Sequence, residues 1–355
     1  MTSTTTDRPE GSRRAEGFLD ADDLQRQWDL GAFDEWRRTP RGNANRSYFV
    51  NTDRGGFVAR ISNQRKTEQA LAAEVALLEH LRDCDFPAPR VVPTREGALW
   101  ARVGGDLCLV TERIPGDYAD STVPAHLRES GRALARFHRI TGDLPAAARP
   151  AAGSELGTLA DGPAILARLT AVAAELLESP EDLERFRRAA DGLAPFFPAV
   201  ADGLAAEPLP QALTHGSLGK SAILFEGERL TAVLDYERVA YEARIVDLAY
   251  LLRSMARNRQ EKHAIFIDRF HAVVDAYCSE LPLSEAEIRA IPVAMQAAGL
   301  LRVRSKGANL LTKHAVVPET ADDIMNLLDK PLELELARVE WLEARGSDLV
   351  AAVLG

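Results

Sequence analysis

The chain is short of cysteine, of net positive charge and of long apolar runs, and each shortage excludes a class of function. Its three cysteines, Cys84, Cys108 and Cys278, are odd in number, far apart and unlike any metal-ligand spacing. They read as reduced thiols in a reducing cytoplasm. A net charge of -10 argues against the broad basic face that nucleic acid or an anionic membrane requires. No stretch reaches the roughly 18 apolar residues of a membrane span, and the N-terminal MTSTTTDRPEGSRRAEGF lacks the apolar core of a signal peptide. The expectation is a cytoplasmic protein with no nucleic-acid or membrane partner, whose residues 1–18 are a disordered tail. HExxH, CxxC, GxSxG and GxxxxGK(S/T) are all missing, which removes the commonest metal, redox, acyl-transfer and phosphate-loop schemes.

What the sequence does contain is enough apolar material for two lobes, with 46% hydrophobic residues in 355. SYFVNT and GFVARIS flank the turn chemistry of DRGG and predict a β-hairpin. The polar TPRGNANRS before it, with Asn45, is the kind of segment whose backbone N–H groups approach an anion. KTEQALAAEVALLEHLRD predicts a helix with Leu71, Val75, Leu78 and Leu81 on its apolar stripe. Glu74 falls beside that stripe and reads as an edge carboxylate open to water, with Arg60 on the preceding strand as its alternative partner. ALWAR and DLCLVTERI add two strands, and PGDYAD reads as a break.

The remainder is mainly helical, with patterns at 162–206, 260–280, 284–303 and 319–354 around one hairpin, SAILFEGERLTAVLDY. Strands and one helix followed by helices give an α+β fold. A basic group, Arg302, Arg304, Lys306, Lys313 and His314, reads as the polar side of a helix.

GNANRSYFVNTDRGGFVARI, GRALARFHRI, HGSLGKSAILF and LDYERVAYEARIVDLAYLL, in this order, resemble the aminoglycoside phosphotransferase, choline kinase and homoserine kinase group, distant relatives of protein kinases. The resemblance spans roughly 35 to 350. It implies a bilobal, protein-kinase-like fold. Residues 19–115 would form a nucleotide-covering β-rich N-lobe, and 116–355 a helical C-lobe with the loop 214–222 and a hairpin to Asp235.

In that family the loop reads His-Gly-Asp, four residues, then Asn, and a later Asp ends the next strand. The first Asp orients the acceptor hydroxyl, while the Asn and the later Asp hold Mg²⁺ against ATP. Here His215 matches, Ser217 replaces the catalytic Asp, Ala222 replaces the Asn ligand, and Asp235 stays as the metal candidate. The resemblance places Arg60 where a lysine contacts ATP phosphates, and Glu74 as its helix partner. It also places Asp247 as the brace of the loop, and Glu242, Ala243 and Arg244 where Gly-Asp-Pro is common. Lys220 reads as a solvated loop charge or as a phosphate contact, and His215 and His138 as hydrogen-bonded braces.

Serine without an activating partner is no base, and alanine offers a metal no oxygen. The sequence therefore predicts a pseudokinase that binds a protein partner or a small-molecule or peptide ligand, with a biosynthetic pathway as one setting. ATP and Mg²⁺ are the implied cofactors, and the losses leave open that the chain binds neither. Two alternatives stand beside it. One is an active ATP-dependent phosphotransferase acting on a small-molecule or peptide hydroxyl, with Glu237 or Glu242 as base. The other is a repurposed enzyme using the same cleft.

Overall fold

The computed structural model describes residues 21–39, 45–63, 66–144, 154–258, 260–314 and 320–354. The predicted tail, residues 40–44 of the polar loop and the side chains of Lys313 and His314 lie outside them. The described residues up to Glu79, with Pro89–Ile114, form one compact unit. His80–Ala88 and the residues from Pro115 onward form a second.

In the first unit a short helix, α1 (Ala21–Gln27), carries Asp22 and Asp23 in its first turn, where unsatisfied N–H groups favour negative charge. Strands β1 (Phe33–Arg38), β2 (Arg46–Thr52) and β3 (Gly55–Ile61) follow. The predicted hairpin is β2–β3, closing at Thr52 opposite Gly55. Its turn is held by Thr52 Oγ1, which accepts from Arg54 N–H at 3.1 Å and donates to Leu30 O at 2.6 Å. Next come α2 (Glu68–Asp83), β4 (Ala101–Val103) and β5 (Asp106–Glu112).

The strands form one antiparallel sheet in the order β1-β2-β3-β5-β4. Alternation along β2 turns Tyr48 and Val50 inward against Leu24, Trp28, Ile61 and Val110. Trp28 is buried completely because its indole N–H finds Val92 O at 2.9 Å. Helix α1 and strand β1 were not predicted. FDEWRR mixes two aromatic residues with four charges and shows no clean period of two.

The second unit opens with β6 (Asp117–Tyr118), which pairs with a later strand where the sequence suggested a break. Helix α3 (Pro124–Gly142) follows. The predicted helical stretch 162–206 is three helices, α4 (Gly162–Leu176), α5 (Pro180–Leu193) and α6 (Phe196–Ala205). The first break comes at Ser179, which caps α5 by accepting from Asp182 N–H at 3.2 Å, with Pro180 at the first helical position. Strands β7 (Gln211–Thr214), β8 (Ile223–Glu226), β9 (Arg229–Val233) and β10 (Ala240–Ala243) come next.

β8 and β9 are the predicted hairpin, with β6 on its edge, and β7 pairs with β10. The four-residue strands β7 and β10 are too short to show periodicity. Helices α7 (Arg244–Met255), α8 (Ile267–Glu280), α9 (Glu285–His314), α10 (Ala321–Leu327) and α11 (Glu333–Leu354) complete the unit. Between α10 and α11 the chain makes a π turn over Leu328–Leu332, at Pro331, which has no N–H for the helical ladder. Leu169, Phe186, Phe197, Leu300 and Leu328 centre the helical core. No helix among the described residues is long and apolar enough to cross a membrane.

Replacing Trp28 by Ala is expected to destabilise the first unit by about 3–5 kcal/mol, measured by urea denaturation followed by circular dichroism.

Candidate functional site

Asp247, in the first turn of α7, is fully buried and organises the loop that follows β7. Its Oδ2 accepts the His215 N–H at 2.6 Å and its Oδ1 the Gly216 N–H at 3.1 Å. His138 Nε2 approaches the same carboxylate at 3.1 Å, and its Nδ1 meets the Tyr277 hydroxyl at 2.8 Å. Burial pushes the Tyr277 phenol well up, so it keeps its proton and donates to Nδ1, which leaves Nε2–H to donate to Asp247. Three donors thus compensate one buried carboxylate. His138 and His215 are braces, as the sequence suggested, and His215 Nε2 also ties the loop to Leu234 O at 2.8 Å. Gly216 has φ +76, and a Cβ there would collide with Arg238 O, so only glycine fits.

On this frame the chemical positions are altered. Ser217 Oγ is buried and has no hydrogen-bond partner among the described residues. Ala222 is 5% exposed and accepts the Leu234 N–H at 2.7 Å, which sets it one residue from Asp235 in the backbone pairing. The structure therefore brings together Ala222 and Asp235, the two positions that the family resemblance gives to metal ligands. Asp235 has φ 74 and ψ 57, a left-handed conformation that costs a non-glycine residue about 1–3 kcal/mol. Its carboxylate is exposed and forms no ion pair or hydrogen bond with another described residue. Lys220 is half-buried, and its N–H donates to Ser254 Oγ at 2.9 Å.

In the first unit, Glu74 is not the water-exposed edge residue that its position beside the stripe suggested. It is 3% exposed and pairs with both Arg60 and Lys66. Burial is the largest influence and would raise its pKa, but the Arg60 charge and then the Lys66 charge outweigh it, and the carboxyl ends below its ordinary value. Lys66 was missed, because its link to Glu74 crosses the start of α2. Asn45 Oδ1 accepts the Asn63 N–H at 3.0 Å, so it braces the chain leaving β3.

Around the loop a second set of charges has gathered, none legible as a cluster in sequence. Arg238 grips Glu155 with a two-pronged pair at 2.6 and 2.8 Å. Glu242 accepts from Ser154 Oγ at 2.7 Å and from Leu156 N–H at 2.9 Å, and burial raises its pKa despite those donors. Arg244 forks onto buried Glu287 at 2.6 and 2.8 Å. Glu242 is therefore committed to holding Ser154–Leu156, and Glu237 lies half-buried in the short turn after Asp235.

No cluster of three or more metal-ligating side chains occurs among the described residues. The donor set fits only the looser mode of Mg²⁺ binding, with one carboxylate completed by phosphate and water oxygens.

A sheet-plus-helix unit, a mainly helical unit and a braced His-Gly loop beside an acidic strand end define a protein-kinase-like phosphotransferase scaffold. The model of the phosphotransferase enzyme family matches residues 35–281, and the chain belongs to that family. A homoserine kinase from Rhodopseudomonas palustris is 26% identical over 278 residues, covering 78% of this chain and 80% of that one. Among solved structures, an aminoglycoside phosphotransferase from Alicyclobacillus acidocaldarius superposes with a TM-score of 0.67 at 19% identity, covering 96% of this chain and 98% of that one. An amicoumacin kinase in complex with AMP-PNP, Ca²⁺ and Ami gives 0.65 at 13% identity, covering 88% of this chain and 91% of that one.

A group whose folded pKa is depressed contributes stability above its unfolded pKa and loses it as pH falls through the folded value. Glu74→Gln should therefore cost about 3–5 kcal/mol at neutral pH. It should also flatten the loss of stability seen below about pH 4.3, as read by urea denaturation at pH 7 and pH 3.5.

Proposed function

We propose that the chain is an ATP-dependent phosphotransferase acting on a hydroxyl of a small molecule or peptide. The observation that carries this reading is Asp235, an exposed, unpaired carboxylate held in a left-handed conformation beside a fully braced loop. Strain of that kind persists only where the surroundings impose it. The relatives named homoserine kinase support an active enzyme over the pseudokinase expectation, and make homoserine the first acceptor to try.

Mg²⁺ with ATP would be held through Asp235, and the metal supplies charge neutralisation on the transferring phosphoryl group. Arg60, oriented by Glu74, is the cation for phosphate in the first unit, and Lys220 is a second candidate in the other. Positioning does most of the work in phosphoryl transfer, so a missing base slows the reaction by about 10²–10⁴ without abolishing it. The three free cysteines suit a reducing cytoplasm.

The second reading is the pseudokinase, a binding subunit or ligand sensor. It is favoured by the buried hydroxyl of Ser217, without a hydrogen-bond partner among the described residues, and by the methyl of Ala222 at the two positions the family resemblance gives to chemistry.

Calorimetric titration with ATP, with and without Mg²⁺, separates them. The enzyme reading expects metal-dependent binding that Asp235→Ala removes, and slow phosphate transfer that Ser217→Asp accelerates by about 10²–10⁴. No binding at millimolar ATP would leave the pseudokinase.

A further inference from the structure

Four nitrogen-bearing side chains converge at the end of α7 that points away from Asp247. Arg253 of α7, Arg257 and His263 of the following loop and Arg338 of α11 line a cavity of about 10 Å³, walled by Met295 and Leu342. One buried carboxylate, Glu335, serves this group. It accepts from Arg253 at 2.6 Å and faces Arg338 at 3.5 Å. Arg253 also donates to Met295 O at 2.9 Å, and Arg338 to Lys262 O at 3.1 Å. The side chains of Arg257 and His263 make no hydrogen bond or ion pair with another described residue.

Three arginines therefore gather where one carboxylate meets two of them, in a chain whose net charge is -10. Burial, reinforced by the charges of Arg253 and Arg257, pushes the Arg338 pKa down to about 10 despite Glu335. Both contacts use Glu335 Oε2, while its Oε1 lies against Gly299 and has no hydrogen-bond partner among the described residues. The backbone of the loop that carries Arg257 is stitched by Asn258 N–H to Ala264 O at 3.0 Å and Phe266 N–H to Ala256 O at 2.7 Å.

We propose that this cluster is an anion site that takes one oxyanion of the phosphate class. The cavity has room for about one water-sized group, which is one oxygen of the anion, with the others directed outward. Guanidinium forks match oxyanion geometry and carry the charge the site lacks. The site lies on the helix that clamps the catalytic loop, since Ser254, next to Arg253, receives the Lys220 N–H. It does not depend on whether the chain transfers phosphate.

The test is calorimetric titration of inorganic phosphate into the full chain, against sodium chloride of equal ionic strength. It is repeated on Arg257→Gln and Asp235→Ala. We expect one phosphate site, weakened at least tenfold in Arg257→Gln and kept in Asp235→Ala. Phosphate at several-fold excess should also raise the melting temperature by about 2–4 °C in the wild type and in Asp235→Ala, but not in Arg257→Gln. Because Arg257 has no partner to lose, Arg257→Gln should melt like the wild type without phosphate. Three results overturn the proposal. They are no phosphate binding beyond that of chloride, equal binding in Arg257→Gln, and binding lost in Asp235→Ala, which would put the anion at the catalytic loop.

Discussion

The second unit depends on one buried carboxylate. Asp247 holds the backbone of His215 and Gly216 and the ring of His138, so strand β7, helix α3 and helix α7 are fixed by a single side chain. A carboxylate wholly out of water is tolerable only when its oxygens are satisfied by well-placed donors. The network cannot lose a member without leaving buried charge or buried N–H groups unpaired. That is why the loop keeps its shape although two of its chemical residues have changed.

Shape and chemistry have separated in this loop. The parts that set backbone geometry, His215, Gly216 and Asp247, are present and engaged as a scaffold. Ser217 and Ala222, at the positions the family resemblance gives to acceptor and metal contacts, offer a hydroxyl without a hydrogen-bond partner among the described residues and a methyl group. A missing base and a missing ligand lower a rate by finite factors, and a nucleotide can still complete the coordination of a metal held by one carboxylate.

Buried ion pairs recur in this acidic chain. Glu74 with Arg60 and Lys66, Glu287 with Arg244, and Glu335 with Arg253 each sink a carboxylate below the surface and meet it with a guanidinium. Such pairs add little net stability compared with apolar packing, but breaking one is costly, so each fixes a register between elements. At Glu335 two arginines meet the same carboxylate oxygen, and a third lines the adjoining cavity.

By itself the sequence determined the hairpin β2–β3, the strands β4 and β5, the hairpin β8–β9 and most helices. Period-two and period-3.6 burial and turn residues are local and survive in one dimension. It also located the loop at His215 and the departures at Ser217 and Ala222, because those residues are contiguous in a motif. Only tertiary structure decided the rest. The stripe position of Glu74 read as an exposed edge until Lys66 and Arg60 closed over it. Strands β7 and β10 are too short to carry a period and exist because they pair with each other. Glu155 meets Arg238, and Glu335 meets Arg253, across long stretches of chain, and charge pairing at such separations leaves no local pattern to read.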